Sequence, residues 1–292
     1  MIIDTHSHLN FKAYDNDRDE VIKRTQQAEV ICIDVGTKFE TSRNAVKLAE
    51  QNENIFAVIG LHPIHIKTDL LKLKMDEIEG GFEPLGEEFN KAKYLELAKS
   101  SKKVVAIGEI GLDYYYRPKS KTKREQHKEL QKSIFIKQLE LAEELNLPVM
   151  VHTRMAHEDT VSILKNYQLQ ATSYKLRGVI HGFVGTLPEA QKYLELGFYL
   201  GINGIIFKFN ETSEAVRLGQ VDVDGVIKNC PLEKILTETD CPYLTPPQEG
   251  KETRNEPIFV KHIIQKIADI KGLSFDEVTG ATTQNAKNLF GI

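Results

Sequence analysis

Ile2-Ile3-Asp4-Thr5-His6-Ser7-His8 opens the chain and decides how the rest is read. The apolar start predicts a strand. The turn after it carries imidazoles where a doubly wound nucleotide-binding sheet would carry a glycine-rich fingerprint. Strand residues two apart point the same way, so His6 and His8 can converge on one ion from a rigid support. Asp4 points the same way and is expected to accept a hydrogen bond from a ring N–H. Alone, a His-x-His pair is a weak metal signal; its weight depends on what recurs down the chain.

Seven further apolar runs follow: Val30 to Val35, Ile55 to Leu61, Val104 to Ile110, Pro148 to Val151, Gly178 to Val184, Phe198 to Ile202 and Ile235 to Asp240. Most are apolar on both faces and rich in Ile and Val, which suits parallel strands covered on both sides. The segments between them read as amphipathic helices. From Arg124 to Asn146, Leu130, Ile134, Leu141 and Leu145 approximate a helical stripe that Leu147-Pro148 ends. Ser274 and Glu277 form a capping box for a last helix holding Val278, Ala281, Ala286 and Leu289. Strands alternating with helices in this way predict an α/β protein, a (β/α)8 TIM barrel, as a single domain over residues 1–292.

With 41% hydrophobic and 27% charged residues, the chain has enough apolar surface for a core, and disorder is disfavoured. No apolar run approaches a membrane span, and Met1-Ile2-Ile3-Asp4 lacks a basic leader. The odd cysteine count (Cys32, Cys230, Cys241) argues against a disulfide framework. The expectation is a cytoplasmic protein with no membrane partner and no obligate protein partner. A net charge of −4 provides no global field for nucleic acid, so any such substrate needs a local basic patch or a metal.

The polar residues at strand ends supply the chemistry. His6 and His8 close strand one, His62 closes strand three, and Glu109 lies in strand four with Asp113 beyond it. His152 closes strand five, His181 lies in strand six, and Asp240 closes strand eight. In a barrel those ends share one face. Six candidate ligands (His6, His8, Glu109, His152, His181 and Asp240) exceed the needs of one tetrahedral zinc. Two divalent ions (Zn, Mg or Mn) are the natural reading, with Glu109 the best bridge by strand order.

These motifs, in order, resemble the TatD family of metal-dependent deoxyribonucleases within the amidohydrolase-like barrels. The resemblance rests on Asp4-Thr5-His6-Ser7-His8-Leu9, Gly60-Leu61-His62-Pro63, Gly108-Glu109-Ile110-Gly111-Leu112-Asp113-Tyr114 and His152-Thr153-Arg154. It continues through His181-Gly182-Phe183, Glu238-Thr239-Asp240-Cys241-Pro242-Tyr243-Leu244, Arg254-Asn255-Glu256-Pro257 and the terminal helix from Asn285 to Phe290. It implies a barrel, a divalent-metal site and hydrolysis of phosphodiester bonds in DNA. It also implies His6, His8, Glu109 and Asp240 at one ion, Glu109, His152 and His181 at the other, and Asp240 as the base. The departures are Met155 where the family often has an acid, Val184-Gly185 after His181-Gly182-Phe183, and the extra tyrosine in Tyr114-Tyr115-Tyr116.

On this reading the catalytic residues are Asp240, Glu109, His62 and Arg154. His62 donates to a phosphoryl oxygen. Arg154 clamps a phosphate or, alternatively, pairs with Glu109 or Asp113. Glu238 either hydrogen-bonds a ligand or is a structural acid. His65, His127, His157 and His262 are expected at the surface, Cys241 packed, and Arg24 and Lys47 on solvated faces. The acidic stretch of Asp76, Glu77, Glu79, Glu83, Glu87 and Glu88 reads as a solvated insertion or a lid. Arg117, Lys119, Lys121, Lys123 and Arg124 read as a phosphate-tracking rim beside the three tyrosines or as a solvated loop. The function expected is a DNA 3′-end exonuclease acting on DNA or a short oligonucleotide. The alternatives are a metal-dependent hydrolase of an amide, ester or lactone in a small molecule, and a non-catalytic metal scaffold.

Overall fold

The computed structural model describes residues 1–71, 78–80, 86–170, 174–209, 213–250 and 252–292. Eight strands alternate with helices: β1 Ile2–Ser7, β2 Val30–Val35, β3 Ile55–Ile59, β4 Val104–Asp113, β5 Val149–Arg154, β6 Gly178–Ile180, β7 Tyr199–Ile202 and β8 Ile235–Thr237. The helices are α1 Arg18–Gln27, α2 Phe39–Gln51, α3 Lys91–Lys99, α4 Lys121–Leu145, α5 His157–Gln170, α6 Leu187–Glu195, α7 Glu214–Arg217, α8 Val223–Asn229, α9 Val260–Lys271 and α10 Phe275–Phe290. The strands follow one another from β1 to β8 in one sheet, and the recorded pairings are parallel. The fold is a (β/α)8 TIM barrel. Among the described residues no helix is long and apolar enough to cross a membrane.

The chain groups into two compact units. The first comprises Met1–Leu9, Asn16–Asp34 and Val179–Ile292. In it β1 meets β8, because Ser7 bridges Cys241 in parallel and the Thr5 hydroxyl donates to the Thr237 carbonyl at 3.2 Å. The backbone then leaves β7 for β1. The Glu238 N–H still bonds the Ile202 carbonyl, but the Asp240 N–H bonds that of His6. That switch ends β8 at Thr237 rather than at Asp240. The Ser274–Glu277 capping box of α10 is present, and the Asn285 amide of that helix donates to the Leu232 and Ile235 carbonyls at 2.8 Å each.

The second unit comprises Asn10–Asp15 and Val35–Gly178. Its central strand β4 is buried at every position and runs past Ile110 to Asp113, with Gly111, Leu112 and Asp113 paired to His152, Thr153 and Arg154. Gly111 permits this approach. It has φ +137°, and a Cβ there would lie 2.1 Å from the His152 carbonyl oxygen. Helix α4 begins at Lys121 after Ser120, not at Arg124, and ends on Asn146 in the left-handed region at φ 52°. Two buried glutamines on α4, two turns apart, each clamp one residue of a strand end. Gln131 accepts from the Asp113 N–H at 2.8 Å and donates to its carbonyl at 2.9 Å. Gln138 does the same for Leu61, at 2.8 and 2.9 Å.

Removing such a clamp strands two buried backbone groups. Gln138→Ala is expected to cost about 2 kcal/mol and lower Tm by about 5 °C. Ala at Ile136, exposed on the same helix, should leave Tm nearly unchanged. Equal melting of Gln138→Ala and the parent protein would refute the clamp.

Candidate metal centre

In the first unit the two histidines of β1 point together as alternation demands, and their Nε2 atoms lie 3.0 Å apart. Oδ1 of Asp240 lies 3.8 Å from Nε2 of His6, 3.5 Å from that of His8 and 3.9 Å from that of His181. The His6 and His181 rings stack with centroids 3.5 Å apart. Two Nε2 atoms at hydrogen-bond distance can share one proton at most. Three imidazole nitrogens around one carboxylate oxygen are therefore a donor set suited to a divalent cation. His6, His181 and Glu238 also offer ligand atoms within 4.8 Å of one another.

Glu238 flanks His181. Its Oε1 lies 2.9 Å from His181 Nδ1 and accepts from the Gly182 N–H at 2.5 Å. Asp240 stands in the left-handed region at φ 58°, which Asp tolerates better than most residues. Asp4 does not hold a ring N–H, contrary to the alternation argument. Its carboxylate accepts from the Thr239 N–H at 2.8 Å, the Thr239 hydroxyl at 2.6 Å and the His6 backbone N–H at 3.3 Å. It ties β1 to the segment after β8. Burial pushes its pKa up to about 8 against the pull of those donors.

In the second unit Glu109 is the hub. Its Oε1 lies 2.8 Å from Nδ1 of His152 and 3.3 Å from Nε2 of His62. These three residues offer a second set of donors. On its other edge, His152 Nε2 meets Oδ2 of Asp113 at 3.3 Å. Burial lowers the His152 pKa, but Asp113 and Glu109 outweigh it and bring the group to about 9. Burial likewise raises Asp113, and the His152 imidazolium holds it below the usual carboxylate range.

His62 differs. Its Nδ1 accepts from the Ile64 N–H at 3.1 Å, so the hydrogen-bond network places the proton of neutral His62 on Nε2, facing Glu109. Burial depresses its pKa, with Glu109 opposing and His152 adding to the effect. In this tautomer Nε2 carries a donor N–H, and His62 also belongs to the donor set with Glu109 and His152. Arg154 pairs with neither Glu109 nor Asp113. It is exposed, and its guanidinium lies over the Tyr115 ring at 3.7 Å.

Several expected surface groups are inside. His65 and His127 are both buried. His65 Nε2 pairs with Glu79 at 2.8 Å, and Glu79 also accepts from the Thr37 hydroxyl. The Thr37 carbonyl in turn accepts the His62 N–H at 2.8 Å. Burial raises the Glu79 pKa, but His65, Thr37 and Lys38 together hold it below its ordinary value. Glu87 accepts from the Phe39 N–H and the Tyr94 hydroxyl, each at 2.8 Å. The acidic stretch is thus anchored inward at Glu79 and Glu87. Glu88 is exposed, and Asp76, Glu77 and Glu83 lie outside the described residues. Arg24 is ion-paired with Glu256 at 2.9 Å rather than merely solvated. Cys241 is packed, as expected. Asp113, expected only as an alternative partner of Arg154, instead meets His152.

The profile of the family described as TatD related DNase matches residues 3–291. The chain is 36% identical, over the full length of both proteins, to an uncharacterized metal-dependent hydrolase, YabD, of Bacillus subtilis. It is 33% identical, again over both full lengths, to a protein of Erwinia tasmaniensis named 3′-5′ ssDNA/RNA exonuclease TatD. Among solved structures, a TatD homologue from Escherichia coli superposes with a TM-score of 0.77 at 27% identity, covering 100% of this chain and 98% of that one.

With His152 as a proposed ligand, its raised pKa sets a proton and a metal in competition for the same ring. The protonated form stabilises the metal-free protein below the ordinary His pKa of 6.5, and that contribution is lost as pH rises through about 9. Metal binding at pH 7.5 should therefore release about one proton from this residue, and affinity should climb with pH until about 9. Calorimetric titration of the metal-free protein in buffers of different ionisation enthalpy measures the release, and His152→Gln should abolish it. A parent protein that releases no proton would refute the assignment.

Proposed function

We propose, from the premise that the chain belongs to the TatD-related DNase family and is a metal-dependent hydrolase, that it removes nucleotides from the 3′ end of single-stranded DNA or short oligonucleotides. The residues that would hold two divalent ions are His6, His8, Glu109, His152, His181 and Asp240. The observation that carries this reading is the convergence of three imidazole Nε2 atoms on Oδ1 of Asp240. A full-length relative named as a 3′-5′ exonuclease supports the choice of substrate. Bound divalent ions supply Lewis-acid polarisation of a phosphodiester and activation of water.

The chain's own groups do the rest. The Asp240 carboxylate is 19% exposed, so it is open to water and receives the proton as the bond to phosphorus forms. The Nε2–H of neutral His62 donates to a phosphoryl oxygen as charge grows there. The Arg154 guanidinium has no ion-pair partner among the described residues and adds a fixed positive charge. Glu238 and Asp113 keep His181 and His152 in orientation.

A 5′-labelled single-stranded oligonucleotide, incubated with Mg²⁺, Mn²⁺ or Zn²⁺ in turn, should give a ladder that shortens from the 3′ end. Turnover of esters, amides or lactones without cleavage of any oligonucleotide would overturn the reading. Asp240→Asn keeps an oxygen donor and loses the base. It is expected to lower kcat by about 10²–10⁴-fold while bound metal, measured by elemental analysis, is retained. A variant that loses its metal would refute the separation of the two roles.

A further inference from the structure

A cavity of about 350 Å³ lies beyond the end of β4, lined by Tyr114, Tyr116, Met155, Arg117, Lys121 and His127, with Glu125 also in its wall beside Lys128. This volume falls within the range of small-ligand pockets. Its walls divide by chemistry. Tyr116 and Met155 are exposed apolar surfaces, and Met155 is 63% accessible. Arg117 and Lys121 are exposed cations with no ion-pair partner among the described residues. Arg124 also lines the cavity, but its guanidinium donates to the Pro118 carbonyl at 2.7 Å and the Lys119 carbonyl at 2.9 Å. It braces the loop through Nε and Nη2. Lys128 is partly neutralised by Glu125 at 3.3 Å. Lys119 and Lys123, expected in the rim, do not line the cavity.

The cavity is joined to the metal-binding residues by one carboxylate. Oδ1 of Asp113 accepts from the N–H groups of Tyr115 at 2.9 Å and Tyr116 at 3.3 Å, while Oδ2 meets His152 Nε2 at 3.3 Å. The tyrosine turn is therefore held by the group that orients a proposed ligand. Arg154 covers the Tyr115 ring at 3.7 Å, and the Tyr115 and Tyr116 rings meet edge-on with centroids 5.0 Å apart. Tyr115 does not line the cavity; Tyr114 and Tyr116 do, and of these Tyr116 is the exposed ring.

We propose that this cavity is a nucleotide subsite for the strand next to the scissile phosphate. A base lies against Tyr116 and Met155, and its phosphodiester is held by Arg117 and Lys121. The inference rests on the nuclease reading and names where the rest of that substrate binds. An aromatic face beside unneutralised cations matches a single strand, whose bases stack and whose backbone is anionic. A neutral ester or lactone would use neither cation.

The test is direct binding, which requires no turnover. A fluorescent ten-nucleotide single strand is titrated by anisotropy against the metal-depleted protein across a range of salt. Arg117→Gln/Lys121→Gln should raise Kd about tenfold and flatten the slope of log K against log salt by about 1.4, the value for two phosphate contacts on a single strand. Tyr116→Ala should raise Kd about tenfold with the slope unchanged. Lys137→Gln/Lys165→Gln removes the same charge from two exposed helix positions and should change neither. A parent protein that does not bind the strand overturns the subsite. So does binding that both cavity variants keep, or equal loss in the control. Selective loss in the cavity variants supports the subsite even where the parent cleaves no oligonucleotide, and that outcome would count against the nuclease reading alone.

Discussion

Burying imidazoles and carboxylates together is the constraint on which the rest of the structure depends. Each charge taken out of water costs several kcal/mol unless it is matched. Here His181, His152 and His62 each face a buried acid. Glu238 holds His181, Asp113 and Glu109 hold His152, and Glu109 faces His62. The acids need holding in turn, and backbone groups do much of it: the Gly182 N–H for Glu238, and the Tyr115 and Tyr116 N–H groups for Asp113. Gln131 and Gln138 then pin the residues at the ends of β4 and β3. The donors sit on a framework in which each level leaves the next little freedom.

Much of this was legible in the sequence, because strand alternation and barrel topology are strong rules. His6 and His8 at positions two apart must share a side, and their Nε2 atoms lie 3.0 Å apart. The eight apolar runs became the eight strands. Asp240, picked out by its motif, has the Nε2 atoms of His6 and His8 within 4 Å of its Oδ1.

What was not legible depends on residues distant in sequence. Asp4 satisfies the alternation rule, yet Thr239, far along the chain, offers it two better donors. His65 reads as a loop residue because its partner Glu79 lies within an acidic stretch that looks solvated. A sequence pattern cannot show that one acid of such a stretch turns inward. The rim was mispositioned for a local reason. Ser120 starts α4 at Lys121, so helical geometry rather than an extended loop spaces the cations, and Arg124 folds back on the Pro118 carbonyl. Of the five cations, Arg117, Lys121 and Arg124 line the cavity, and Lys119 and Lys123 do not.

The positions that depart from the family pattern follow the same division. Met155 and the added tyrosine change no proposed ligand, and Met155 and Tyr116 both line the cavity beyond β4. The donors stand on or beside strands whose backbone is paired and clamped, where a change of side chain disturbs several partners at once. Met155 and Tyr116 stand on exposed turns, where a change alters what the wall presents and little else. Asp113 marks the boundary between these regimes, with one oxygen on the proposed ligand His152 and the other on the turn that shapes the wall. Sequence can therefore vary on the wall without altering the donors, and under the proposed subsite the choice of strand falls to the residues after Asp113.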